Sequence, residues 1–232
     1  AGYVYAANAS TRLGNHFNIS ASYNGYLQTQ YDGTVKVNDS TRINRVMHSA
    51  SLSPSYSYDT DMLGHTASMS LNYTSNKDLN PYAKGETDVQ TMAFGLSYSM
   101  DAKPIETNFT LSFSHQDSKG FSSHYRSDVL SLGASRSFLK EKNLNFSGTL
   151  SLCYNEIKRQ SKSLSMGCDL SANYTYKEAH MFSASAGFNK YGDVNITKKR
   201  SSLDCTDISI SFNYAYTFTL LAIKSKANKA KK

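Results

Sequence analysis

Residues 208–218 read Ile208-Ser209-Ile210-Ser211-Phe212-Asn213-Tyr214-Ala215-Tyr216-Thr217-Phe218. Large apolar side chains take every second position, and Ser, Asn, Ala and Thr fill the gaps. A period of two puts the first set on one face of a β-strand and the second on the other. Met92-Ala93-Phe94-Gly95-Leu96-Ser97-Tyr98-Ser99-Met100 repeats the split. Working outward from these stretches predicts ten strands, at 16–28, 46–58, 65–75, 89–100, 105–115, 128–138, 144–156, 163–176, 181–189 and 207–218. No stretch with helical spacing competes.

The connections between these strands alternate long and short. Short ones carry turn chemistry, such as Asp59-Thr60-Asp61 and Asp101-Ala102-Lys103-Pro104. Segments 29–45, 76–88, 116–127 and 190–206 are long and polar, and 157–162 is a shorter member of that set. Alternation of this kind means strands that run up and down, with every long loop at one end. Transmembrane barrels sort their loops this way, short on the periplasmic side and long outside.

Composition agrees with this reading. The chain has 232 residues, 17 Tyr, 11 Phe, no Trp and 36 Ser, with a mean hydropathy of −0.49. The longest apolar run is Tyr3–Ala7, which excludes a transmembrane helix, since that needs about 20 apolar residues. An aromatic content of 12% speaks against disorder. Five of the last nine residues are Lys, so most of the net charge of +7 belongs to a tail, and no nucleic-acid partner is expected. Cys153, Cys168 and Cys205 form no metal-ligand or disulfide pattern.

Aromatics mark the strand ends on the apolar face, as interfacial girdles do. With the first strand running outward, Tyr58, Tyr98, Phe138, Tyr176 and Phe218 form the periplasmic ring. Tyr26, Tyr73, Tyr154 and Phe188 form the outer one. Two positions resist. Pro54 falls mid-strand and predicts a bulge or a weak seam. Arg136 lies on the lipid face and must snorkel, or the register flips.

The opposite face is rich in Ser, which leaves a lumen that is either a narrow water path or filled by a plug or partner segment. Asp169 near mid-depth and Glu106 near the periplasmic end are the ionisable candidates. Lys158, Arg159 and Lys162, with Lys198, Lys199 and Arg200, predict an extracellular basic patch, facing lipopolysaccharide or an acidic partner. No Asp–His pair stands out, and nucleotide, phosphate and Ca²⁺ loop motifs are absent. The expectation is therefore no enzyme, no cofactor and no metal.

The pattern over 16–218 resembles the outer-membrane β-barrels of Gram-negative bacteria. Such barrels close on a strand signal whose polar and aromatic positions look like Ser211, Tyr216 and Phe218, with Asn213 where Gly is usual. The resemblance implies an all-β, up-and-down antiparallel transmembrane barrel of about ten strands in the bacterial outer membrane. Its partners would be the lipid bilayer and lipopolysaccharide. Residues 1–15 read as a periplasmic segment or the remnant of a preceding strand of a larger barrel, and 219–232 as a basic tail. The expected role is a non-enzymatic scaffold or accessory subunit of a surface complex, with a narrow pore or a plugged lumen. The alternative is an adhesin or receptor working through loops 29–45 and 190–206.

Overall fold

The computed structural model describes residues 2–30, 43–80, 87–138, 143–177, 179–193 and 205–217. These form eleven strands: β1 (Gly2–Leu13), β2 (Phe17–Gln30), β3 (Ile43–Asp59), β4 (Leu63–Asp78), β5 (Val89–Ala102), β6 (Thr107–Gly120), β7 (His124–Phe138), β8 (Leu144–Ile157), β9 (Ser161–Tyr176), β10 (His180–Asp193) and β11 (Cys205–Tyr216). All belong to one sheet in sequence order, each antiparallel to the next.

Local chemistry explains the turns at one end. Gly14, with φ of 64°, supplies the left-handed residue between β1 and β2. Thr60 Oγ1 accepts the Leu63 N–H at 2.9 Å and closes the turn after β3. A 3-10 turn at Lys103–Ile105 ends on Glu106 in the left-handed region, and joins β5 to β6. Lys103 reaches back to Asp59 at 2.6 Å, tying two neighbouring turns together.

The other end departs from the expected long loops. Residues 116–127 are not a loop, because β6 runs to Gly120 and β7 starts at His124, leaving 121–123 as the turn. Residues 158–160 likewise join β8 to β9. The polar residues there extend strands instead of leaving them. Residues 31–42 and 194–204, which make up most of the two longest predicted loops, lie outside the described residues.

A strand at the very start, β1, pairs with β2 over its whole length, from Gly2 opposite Gln28 to Leu13 opposite Phe17. The strand continues through Ala9 to Leu13. Its sequence, Gly2-Tyr3-Val4-Tyr5-Ala6-Ala7-Asn8, alternates only weakly in size, so it stands outside the ten strands read from the period of two. Pro54 produces no bulge. The β3–β4 register is the same on both sides of it, Leu52 opposite Leu71 and Ser55 opposite Ser68, with a gap in pairing at Ser53 and Pro54. Arg136 also keeps its register, opposite Thr107 and Phe146. Its guanidinium lies over the Phe138 ring, 4.7 Å from the centroid.

No hydrophobic core forms. Ala102 is the one buried apolar side chain other than glycine among the described residues, and no large side chain is fully buried there. Leu132, Leu150, Leu170 and Ile210 are all more than half exposed on one face of the sheet. A water-soluble chain would have to bury such a face. Here the apolar face meets hydrocarbon, and the sheet is the wall of a transmembrane barrel.

Candidate functional site

The inner face is built from rungs of small polar residues that cross the strands. One rung runs Ser55, Ser68, Ser97, Ser112, Ser131, Ser151, from β3 to β8. Another runs Ser135, Ser147, Ser171, Ser185, Ser211, from β7 to β11. Neighbouring hydroxyls bond one another along these rungs: Ser68 to Ser97 at 2.6 Å, Ser147 to Ser171 at 2.6 Å, Ser185 to Ser211 at 2.7 Å. Each hydroxyl can donate once and still accept from water, so the wall is neutral and wettable.

Asp169 stands in this wall, on the rung Thr149, Asp169, Gly187, Ser209. A Cβ at Gly187 would sit 3.0 Å from Asp169 Oδ1, so the carboxylate leans across the space that this glycine leaves. Glu106 is not a mid-wall group. It caps the 3-10 turn, its N–H bonding to the Lys103 carbonyl and its carbonyl accepting from Ser137.

The apolar face carries aromatic belts at both ends. At the turn end, Phe138 meets Phe146 edge-on at 5.6 Å, and Phe182 stacks on Tyr174 and meets Tyr214 at a tilt. Tyr58, Tyr98 and Tyr176 share that face and that end by register. At the loop end Tyr73, Tyr154 and Phe188 share it too. Tyr26 does not. It has the parity of Asn18, Ser20 and Ser22 and faces inward, while Tyr23 takes the outward place. The outward positions of β2 beyond Tyr23 are Gly25, Leu27 and Thr29, so Tyr23 is the last aromatic on that face. Phe218 lies outside the described residues.

Histidines join these belts, which the sequence alone did not signal. The phenol of Tyr23 bonds His48 Nδ1 at 2.8 Å, His65 Nδ1 meets the Tyr98 hydroxyl at 2.7 Å, and His180 Nδ1 meets that of Tyr214 at 2.8 Å. Paired with a phenol, an imidazole is satisfied at the boundary between hydrocarbon and water.

Beyond the apolar band, the outward side of β6–β9 turns charged at the loop end. His115 bonds Asp128 at 2.5 Å, and Arg126 Nε donates to the other oxygen of Asp128 at 2.8 Å. His124 bonds Asp117 at 2.9 Å. Lys162 pairs with Glu156 at 3.0 Å, and the Tyr154 hydroxyl donates to Glu156 at 3.1 Å. Partial burial pushes the Asp128 carboxyl up, but the bonds from His115 and Arg126 outweigh it and hold it below the usual carboxylate range. Asp117 is held down in the same way by His124 and Lys119. The bond from Lys162 lowers Glu156.

This cluster corrects two expectations. Lys162 is neutralised by Glu156 rather than offered as free charge, so of the predicted basic patch only Lys158 and Arg159 stand in the turn after β8. Lys198, Lys199 and Arg200 lie outside the described residues. Two Asp–His pairs exist where none stood out, because His115 and Asp128 are 13 residues apart and meet only through the β6–β7 register. Chemically, a carboxylate bonded to one ring nitrogen orients the imidazole and leaves the second nitrogen for proton transfer.

An up-and-down sheet with a banded apolar face and a hydroxyl-lined face defines the class of outer-membrane β-barrel proteins, which reside in the bacterial outer membrane. No family model and no curated protein sequence matches the chain. Solved structures do. OmpT of Vibrio cholerae is 8% identical with a TM-score of 0.48, over 90% of this chain and 87% of that one. The alcaligin outer-membrane receptor FauA of Bordetella pertussis is 10% identical with a TM-score of 0.49, over 93% of this chain and 41% of that one. LpxR of Salmonella typhimurium is 10% identical with a TM-score of 0.33, over 93% and 88%. The expectation of a non-enzymatic protein is overturned here. The Asp–His pair whose absence carried that expectation is present twice, as His115–Asp128 and His124–Asp117.

Proposed function

We propose that the protein is an accessory barrel subunit of an outer-membrane surface complex, and that its serine face borders a hydrated passage for small polar solutes. The observation that carries this reading is the unbroken hydroxyl rung from Ser55 to Ser151. A closed barrel of at least eleven strands, spaced about 4.8 Å and tilted about 40°, has a backbone radius of at least about 11 Å. Serine side chains reach inward only about 3 Å, so they do not fill the space that they line. Wettable walls without long side chains are those of water-filled rather than packed barrels. The charged hairpin tips of β6–β9 stand where the outer leaflet begins, and lipopolysaccharide is the surface that they meet.

Asp169 is an acidic group on the inner wall between the two belts, and it contributes to the sign of ion preference in this passage. Single-channel recording in a planar bilayer tests the reading. Steps with a modest cation preference are expected, and Asp169→Asn should weaken the preference while keeping the steps. An absence of steps, with the protein shown to be inserted, would end the passage reading.

A further inference from the structure

The outward face of β7–β11 is not evenly apolar near the turn end. Register sets one row as Arg136, Phe146, Ala172, Ala184 and Phe212. In the next row toward mid-membrane Ala134 lies beside Gly148, and Ala186 stands between Leu170 and Ile210. Small side chains therefore sit next to one another between large ones. Phe146 and Phe212 are three strand spacings apart, about 14 Å, so their rings do not close over the two alanines between them. A trough of about 660 Å³ opens there. A second depression of about 360 Å³ shares Ala172, Ala184 and Phe212 with it and reaches the aromatic belt at Tyr174, Phe182 and Tyr214. The two together lead from the belt into the apolar band.

Among the described residues a single charged side chain lines this trough, and it is a cation. Arg136 is exposed on the lipid side, and its guanidinium lies over the Phe138 ring. Phe138 stands one row nearer the turn end than Arg136, so the side chain carries its charge down to the level of the aromatic belt, where lipid headgroups begin. A guanidinium presents its N–H donors as a planar fork that matches a phosphate with two bonds. The molecule also supplies a comparison. A depression of about 520 Å³ opens on the same outward face over β2–β7, between Pro54, Ala67 and Leu96, and no charged side chain lines it among the described residues. Hydrocarbon fills either depression equally well. The one on β7–β11 can also read a phosphate.

We infer that the trough on β7–β11 holds a glycerophospholipid as a resident ligand, with its phosphate on Arg136 and an acyl chain laid over Ala172, Ala184 and Ala186. The occupant is a lipid because the floor is apolar along its length and the one charge stands at the depth of the phosphates of a leaflet. Chain and headgroup are then read by separate parts of one site, the alanines by shape and Arg136 by charge. This goes beyond the passage reading, which concerns the serine face and is read by conductance, whereas the trough faces outward and is read by lipid labelling.

The test uses the full chain folded into vesicles of phosphatidylethanolamine and phosphatidylglycerol. The vesicles carry a trace of phosphatidylglycerol with a photoreactive diazirine in one acyl chain, and mass spectrometry maps the labelled residues. Label should gather on β9 and β10 around Ala172, Ala184 and Ala186, and exceed that around Pro54, Ala67 and Leu96. A diacylglycerol with the same diazirine has the chains without the phosphate, and should lose this preference. Arg136→Gln should lower the label on β9 and β10 about tenfold, as loss of a charge-assisted bond to phosphate does. Ala186→Leu fills the floor and should lower it too. Both side chains are exposed, and a heat-modifiable band on a gel shows that each variant is folded. Where a variant does not fold, the comparison of the two lipids on the unchanged protein decides by itself. Equal label in the two depressions, a preference that the diacylglycerol keeps, a label that Arg136→Gln leaves unchanged, or no lipid label in the trough because a protein segment or a second copy fills it would each overturn the inference.

Discussion

The bond between His115 and Asp128 can be weighed before it is measured. Asp128 accepts from His115 at 2.5 Å and from Arg126 at 2.8 Å, and is 19% exposed, while His115 is 28% exposed. A hydrogen bond to a charged group contributes about 1.5–3 kcal/mol when buried, and an exposed ion pair about 0.2–1 kcal/mol. Partial exposure puts the His115–Asp128 coupling at about 1 kcal/mol, or about a fivefold change in the opening equilibrium of the β6–β7 hairpin. The measurement is a double-mutant cycle with Asp128→Asn and His115→Gln, read by amide exchange at the hairpin tip in detergent micelles. The sign of the pH dependence follows from the carboxyl. Asp128 is held below its unfolded value of 3.8, so its contribution is fully present above that value. It is lost as the pH falls through the lower folded value. Coupling should be full at pH 7 and smaller at about pH 2. No coupling at pH 7, or the same coupling at both, would refute the assignment of a charge-assisted bond.

Three further outcomes are expected. Pro54→Val restores an N–H at the gap in the β3–β4 ladder and should raise stability by about 1 kcal/mol, seen as a higher temperature for the shift between folded and unfolded bands on a gel. A lower temperature would mean that the gap is held open by something other than proline. At Gly187, a change to Val occupies the space over which the Asp169 carboxylate leans; it should lower conductance and change ion preference in the direction of Asp169→Asn. Gly25→Ala places a Cβ 2.4 Å from the Tyr5 ring and must swing that ring off the sheet. Proteolysis should then cut β1 sooner, and an unchanged cutting rate would show that Tyr5 does not cover Gly25 in solution.

Much of this molecule is written in a period of two. The faces, the aromatic ends and the polar inner rungs follow from single strands, because side-chain direction alternates with no help from tertiary structure. Tyr73, Tyr154 and Phe188 could be assigned to the outward face for that reason. What failed did so where information lies between strands. The turn at 121–123 was hidden because Gln116, Asp117, Ser118, Arg126 and Ser127 look like loop residues, yet above an apolar band a strand is free to carry polar groups on both faces. His115–Asp128 and His124–Asp117 were hidden because hairpin register, not spacing, brings them together. Tyr26 was assigned to the wrong face because the aromatic nearest the loop end that keeps the outward parity of Phe17 and Ile19 is Tyr23, with Gly25 and Leu27 after it.

The same distinction explains why the charged cluster sits where it does. On the outward face of β6 the series Phe109, Leu111, Phe113 gives way to His115, Asp117, Lys119 without a break in parity. On β7 the series Leu132, Leu130 gives way to Asp128, Arg126, His124. Both changes fall on the same rung, since Phe113 faces Leu130 and His115 faces Asp128. Two strands that change from apolar to charged on one rung mark a boundary in their surroundings rather than a change in the strand. Below that rung a charge would be desolvated by lipid, at a cost of several kcal/mol; above it, carboxylates and bases pair while partly wet. The edge of the hydrocarbon can therefore be read from register alone at this side of the barrel, between Phe113 and His115.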